Sequence, residues 1–198
     1  MAIDQIHDLQ QVYRKLLHSM SRPGTISSMG QESGNVDVDF ECANALMLSA
    51  ITLLDAEVTF HVLSETRQDL IEKISEYTSA RHAPLQQADF IIVLQEDEES
   101  KVLEAMAQCK IGSLIDPQQS STWIIETPIL SNTGSLLLTG PGIETEARLS
   151  AGQSPRFWQA RDNRIKEYPM GIDLIFADCS SQIACLPRTV MAIPMEVE

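Results

Sequence analysis

The sequence predicts an α/β chain: one three-layer domain with a mixed β-sheet between helices. Three observations carry that expectation. Apolar residues recur at helical spacing in several separate stretches, short apolar or alternating runs of strand length lie between them, and the last third turns to paired strand candidates. With 198 residues, 43% of them hydrophobic, the chain can bury about 70% of its unfolded surface in one core. Residues 1–198 are therefore read as a single domain with no repeat and no low-complexity linker.

The first helix follows Asp4, an N-cap residue, and places Ile6, Leu9, Tyr13, Leu16, Leu17 and Met20 at helical spacing until Pro23-Gly24 ends it. A second helix over about 42–54 is apolar on most sides, which implies burial between other elements, and Asp55 closes it. In 57–63, Val58, Phe60 and Val62 alternate with Glu57, Thr59 and His61, the period of a strand with one wet face. His61 is expected to point to solvent. A helix over about 66–77, with Leu70, Ile71, Ile74 and Tyr77 on one face, leads through Pro84 to the apolar run 90–94, read as a buried central strand.

Acidic residues 96–99 suit the first turn of a further helix carrying Val102, Leu103 and Met106. After Asp116-Pro117 come two strand candidates, 122–126 and 135–139, joined by Ser131-Asn132-Thr133-Gly134 as a hairpin-like connection. Ser154-Pro155 reads as an N-cap followed by proline at the first helical position, opening a basic helix with Arg156, Arg161 and Arg164 that runs to Pro169. Finally, 172–177 and 183–186 form a hairpin about Cys179-Ser180-Ser181-Gln182, with Ile172, Leu174 and Phe176 on one face.

A formal net charge of −14 argues against a stand-alone nucleic-acid binder, because duplex binding depends on cations that displace condensed counterions. Any anionic substrate needs a locally basic pocket or a basic partner. The start shows no basic region followed by an apolar one, and the best apolar run, 45–54, is too short to span a bilayer. No membrane association is expected. Cys42, Cys109, Cys179 and Cys185 show no paired metal spacing, nor do His7, His18, His61 and His82, so the expectation is a cytoplasmic protein with reduced thiols and no metal.

Three punctuated stretches remain: Ser19-Met20-Ser21-Arg22-Pro23-Gly24, Leu138-Thr139-Gly140-Pro141-Gly142-Ile143, and Tyr168-Pro169-Met170-Gly171-Ile172-Asp173 with Leu186-Pro187-Arg188-Thr189 behind it. Arg22 and Arg188 are candidate clamps for phosphonate or phosphate oxygens, since the guanidinium fork matches such pairs, although for either one alone a structural ion pair is the favoured reading. Gly140 and Gly142 are candidates because the turn offers the N–H groups of Gly142 and Ile143 to an anion; as a lone turn it also has a plain structural use. Asp173 sits at a strand position where a buried charge needs a partner. It is either braced by Arg188 or in contact with substrate. Phosphate-loop, dinucleotide-loop and nucleophile-elbow signatures are absent.

Six features in order, Tyr13-Arg14, Met20-Ser21-x-Pro23-Gly24, Leu53-Leu54-Asp55, Leu138-x-Gly140-Pro141-Gly142-Ile143, Pro169-x-Gly171-Ile172-Asp173-Leu174 and Pro187-Arg188-Thr189, resemble the H subunit of the bacterial carbon-phosphorus lyase system, the PhnH family. Departures are mild: Tyr168 stands where phenylalanine is usual, and several differences fall in 112–121. The resemblance implies a fold like the large domain of pyridoxal-phosphate (PLP) transferases without the cofactor. Lys15, Lys73, Lys101 and Lys166 read as helical and Lys110 as a helix end, none of them a Schiff-base position in a strand-terminal loop.

The resemblance further implies an accessory subunit working with PhnG, PhnI and PhnJ, with PhnL, and forming a homodimer when isolated. Its reaction exchanges the adenine of ATP, the complex's co-substrate, for a phosphonate, giving alpha-D-ribose 1-methylphosphonate 5-triphosphate. Catalysis is expected in the I subunit, and the J subunit later cleaves the carbon-phosphorus bond. Two other readings stay open: a free-standing nucleotide- or phosphate-binding enzyme on the same fold, and a purely structural scaffold.

Overall fold

The computed structural model describes residues 7–36, 40–64 and 66–195, with Ser135 described by its backbone alone. Asp4 and Ile6, read as the start of the first helix, lie outside these residues. In chain order the elements are α1 (His7–Ser21), β1 (Ile26–Ser28), α2 (Gly30–Ser33), α3 (Asn44–Leu53), β2 (Thr59–Val62), α4 (Gln68–Thr78), β3 (Arg81–His82), a 3-10 turn (Leu85–Gln87), β4 (Phe90–Val93) and α5 (Glu99–Gln108). Then follow β5 (Thr122–Thr127), β6 (Ser131–Thr139), β7 (Ala147–Ser150), α6 (Pro155–Arg164), β8 (Asp173–Asp178), β9 (Gln182–Leu186) and β10 (Met191–Pro194).

The fold is mixed α/β. A seven-stranded sheet runs β1-β9-β8-β5-β4-β2-β3, parallel from β8 to β3, with β9 antiparallel to both its neighbours. Its central strands are apolar on both faces and divide the core by their period of two. Ile92, Ile124, Ile175 and Ile183 face a cluster with Val12 and Leu16 of α1, Leu46 and Leu48 of α3, and Leu70 and Ile74 of α4. Their neighbours Ile91, Trp123, Leu174 and Ala184 face a second cluster with Val102 and Met106 of α5 and Phe157 and Trp158 of α6.

The second cluster also receives Leu136, Leu138, Leu149 and Ala192 from a separate three-stranded sheet, β10-β6-β7. That sheet overturns the expected hairpin between 122–126 and 135–139. Residues 131–134 are part of β6 itself, and β6 pairs with β7 and β10 rather than with β5. Gly134 allows close approach to β7: a Cβ there would lie 2.3 Å from the Leu149 carbonyl oxygen. Thr127 Oγ1 donates to the Ala151 carbonyl, and Leu130 N–H donates to Asp178 at 3.0 Å, steering the chain out of the main sheet.

Other expectations shift locally. Tyr13 and Leu17 of α1 are 51% and 56% exposed instead of packed. The His61 ring stacks on His82 with centroids 5.3 Å apart, and its Nδ1 lies 3.0 Å from the Ala83 carbonyl, so it is half-buried and held. Of the acidic run 96–99 only Glu99 occupies the first turn of α5; Asp97 folds back to accept the Leu94 N–H at 2.8 Å. Ser154 caps α6 as expected, accepting from Phe157 N–H at 3.2 Å, but the helix stops at Arg164, which leaves Lys166 in a bend. Among the described residues no helix is long and apolar enough to cross a membrane.

Candidate functional site

The two ends of the parallel strands differ in chemistry. Ligands of open α/β sheets usually sit beyond the carboxyl ends of the strands, where successive connections diverge to opposite faces. Here the divergence falls between β2 and β4, because α4 packs in one core cluster and α5 in the other. Arg67, just before α4, closes that point. Its guanidinium donates to the carbonyls of Phe40 and Glu41 at 2.9 and 3.1 Å, and pairs with Asp69 at 3.2 Å and Glu96 at 3.6 Å.

Beside it, Glu126 at the end of β5 accepts the N–H groups of Ala43 and Gln95 at 2.6 and 3.0 Å. Glu126 thus fills the place at the start of α3 where an anion would bind. Between α5 and α6 lies a crevice of about 380 Å³ whose lining includes Gln95, Asp97, Glu99, Glu126, Gln153 and Ser154. Burial pushes the Asp97 carboxyl above its ordinary range, and Glu96 and Glu126 add to the effect. A wall of carboxylates repels phosphate. Sequence pattern assigns none of these polar residues to a binding site: Ser154 reads as an N-cap and the acidic run 96–99 as a helix cap.

The opposite end gathers the three glycine- and proline-rich stretches. Gly142, at φ +84°, comes so near the end of α1 that a Cβ would lie 2.4 Å from the Ser21 carbonyl oxygen. A Cβ on Gly140 would lie 3.0 Å from the Thr189 carbonyl oxygen. The turn therefore wedges between the first stretch and the third. Its Ile143 N–H donates to the Gly140 carbonyl at 3.2 Å, so that donor closes the turn.

Arg188 and Asp173 meet directly. The Asp173 carboxylate accepts from Arg188 N–H at 2.7 Å, from Nε at 3.2 Å to each oxygen, and from Nη2. Nη1 donates to the Pro117 carbonyl at 2.8 Å, and Nη2 also donates to Ser120 Oγ. A shallow depression of about 310 Å³ lies beside the pair, bounded by Pro117, Tyr168, Pro169 and Thr189. Beneath it the fully buried Arg161, expected as one of three basic residues on its helix, donates from Nη2 to the carbonyls of Pro187 and Val190 at 2.9 and 3.0 Å. Burial lowers its pKa to about 10. Arg22 is exposed at the end of α1, with His18 Nε2 at 3.4 Å as its side-chain contact.

Asp173 and Arg188 thus meet directly, whereas Gly140 lies against Thr189 and Val190 and Gly142 against the end of α1, where Arg22 is exposed. A sequence model of the family described as bacterial phosphonate metabolism protein (PhnH) matches residues 2–192. The chain belongs to the PhnH family. Among curated relatives, the HtxG protein of Stutzerimonas stutzeri, named as a C-P lyase subunit, is 29% identical over 91% of this chain and 83% of its own length. The alpha-D-ribose 1-methylphosphonate 5-triphosphate synthase subunit PhnH of Rhizobium meliloti (strain 1021) is 25% identical over 94% of this chain and 90% of its own. All three glycine- and proline-rich stretches lie inside the span that the PhnH model covers.

Proposed function

We propose that this chain is an accessory subunit of a carbon-phosphorus lyase assembly. It supports the exchange of adenine in ATP for methylphosphonate to give alpha-D-ribose 1-methylphosphonate 5-triphosphate. The observation that carries this reading is the family match over 2–192 together with relatives named as subunits. Displacement at an anomeric carbon passes through an oxocarbenium-like state and needs a free carboxylate, a proton for the departing base and cations for the triphosphate. Asp173 and Arg188 are engaged with each other, and the crevice at the carboxyl ends is acidic. Both features favour catalysis in a partner, for which the G, I and J subunits with PhnL are the proposed set.

The same reading takes the sheet and its covering helices as the large-domain architecture of PLP transferases, used here without the cofactor. Lys15 pairs with Glu32 at 2.7 Å and Lys110 with Asp89 at 2.5 Å. Among the described residues no lysine lines the acidic crevice, which suits neither a Schiff base nor a phosphate. The isolated chain is taken to self-associate as a homodimer in the cytoplasm. The test is adenine release from ATP and methylphosphonate, followed by chromatography, with the chain alone, the partners alone and all together. Turnover is expected only with the full set. Turnover by the chain alone would establish a free-standing enzyme, and full turnover without it would sink the reading.

A further inference from the structure

The outward face of α1 carries apolar residues that the fold leaves uncovered. Tyr13 and Leu17, four residues apart and hence stacked on one helical face, are both more than half exposed. They border an apolar groove of about 200 Å³ that continues over Met20, Leu53, Phe90 and Ile175, where α1 crosses the start of β4 and the end of α3. Scattered exposed apolar side chains need no account, but an aromatic and a leucine at helical spacing over an apolar cleft form an anchor surface.

Charge selects the occupant. Arg14, His18 and Arg22 follow each other at four-residue spacing directly beside Tyr13 and Leu17, and the Arg22 N–H continues the helical pattern to the His18 carbonyl at 3.0 Å. All three are exposed, and among the described residues neither Arg14 nor Arg22 has a carboxylate within 4.0 Å. In a chain of net charge −14, Arg14 and Arg22 make this a cationic strip along an apolar groove. A second copy meeting this face about a two-fold axis would set one strip against the other. A helix with an apolar stripe and a carboxylate flank fits both features at once.

We infer that the α1 face, centred on Tyr13 and Leu17 and edged by Arg14 and Arg22, docks an acidic amphipathic helix of a partner subunit. The inference deepens the subunit reading and rests on it for the partner.

Its direct test uses the full chain and two fluorescent peptides of about 18 residues, long enough to be helical, that share a leucine stripe flanked by glutamate in one and by lysine in the other. In about 0.05 M salt the glutamate peptide should bind at least about tenfold more tightly, and the difference should close in about 0.5 M salt. Tyr13→Ser with Leu17→Ser should weaken binding about 100-fold. Arg14→Glu with Arg22→Glu, which touches no packed side chain, should reverse the preference. Equal binding of the two peptides, no binding, or binding indifferent to either double variant would overturn the inference.

Co-elution of the same variants with the partner subunits separates the two readings. Failure of the wild-type chain to join the assembly, with peptide binding as described, would sink the subunit reading alone. Normal joining by both double variants would sink the docking inference alone. Loss of self-association by the Tyr13/Leu17 variant in sedimentation, with its joining intact, would assign the groove to a second copy and overturn the inference likewise.

Discussion

Arg188, just past the end of β9, reaches two separate segments: Asp173 at the start of β8, and the loop before β5 through the Pro117 carbonyl and Ser120. The pair is mostly shielded, with side chains 15% and 21% exposed, so removing one charge strands the other in a poorly solvated corner. For Asp173→Asn the expected cost is about 2–3 kcal/mol, below the range for a fully buried pair because water still reaches the site. That corresponds to a melting temperature lower by roughly 5–10 °C for a chain of this size, read by calorimetry. Adenine release by the reconstituted assembly should fall only as far as the folded fraction falls. An unchanged melting temperature with lost turnover would instead make Asp173 a substrate contact. Arg188→Lys should destabilise as well, because an ammonium cannot span three acceptors with one planar fork.

At the scale of elements, the Gly140-Pro141-Gly142 turn holds the end of α1 against the Pro187–Val190 turn. Gly142→Ala meets two penalties, a left-handed backbone and a Cβ 2.4 Å from a carbonyl oxygen, and should cost about 1–3 kcal/mol in chemical denaturation. Gly30→Ala is the control: its φ is unstrained and its Cβ would meet only Ser28 Oγ at 3.4 Å, so stability should stay within about 0.5 kcal/mol. Equal losses at both positions would contradict the wedge. These turns were legible in sequence because glycine and proline mark them locally. So were the helix ends at Pro23-Gly24 and Ser154-Pro155, and β4 and β8 as apolar or alternating runs. The strands β1, β7 and β10 were not, since three or four residues with mixed composition carry no period and owe their form to pairing with β9 and β6. Asp173 with Arg188 was readable as a pair from hairpin geometry. Arg67 and Glu126 were not, because the backbone groups they hold, which carry no side-chain signal, lie 26 and 27 residues away for Arg67 and 31 and 83 for Glu126.

Over the whole molecule, one sheet separates two apolar clusters, and neighbouring residues of a single strand serve opposite sides: Ile91 faces α5 and the small sheet, Ile92 faces α3 and α4. Both are fully buried. If the chain folds as one domain, as we propose, damage on either side must loosen the shared sheet and hence the other side too. Ile91→Ala and Ile92→Ala should each remove about 2–5 kcal/mol by leaving a cavity, and each should lower one common melting transition by roughly 5–15 °C. Near-ultraviolet circular dichroism, sensitive to Trp123 and Trp158 in the second cluster, and far-ultraviolet signal, dominated by helices of both, should then move together in both variants. Two transitions, with only the near-ultraviolet one shifted by Ile91→Ala, would mean that the layers melt separately. The α1 face could then detach without disturbing the corner built on Asp173 and Arg188, and docking and bracing would be independent properties of two units instead of linked properties of one.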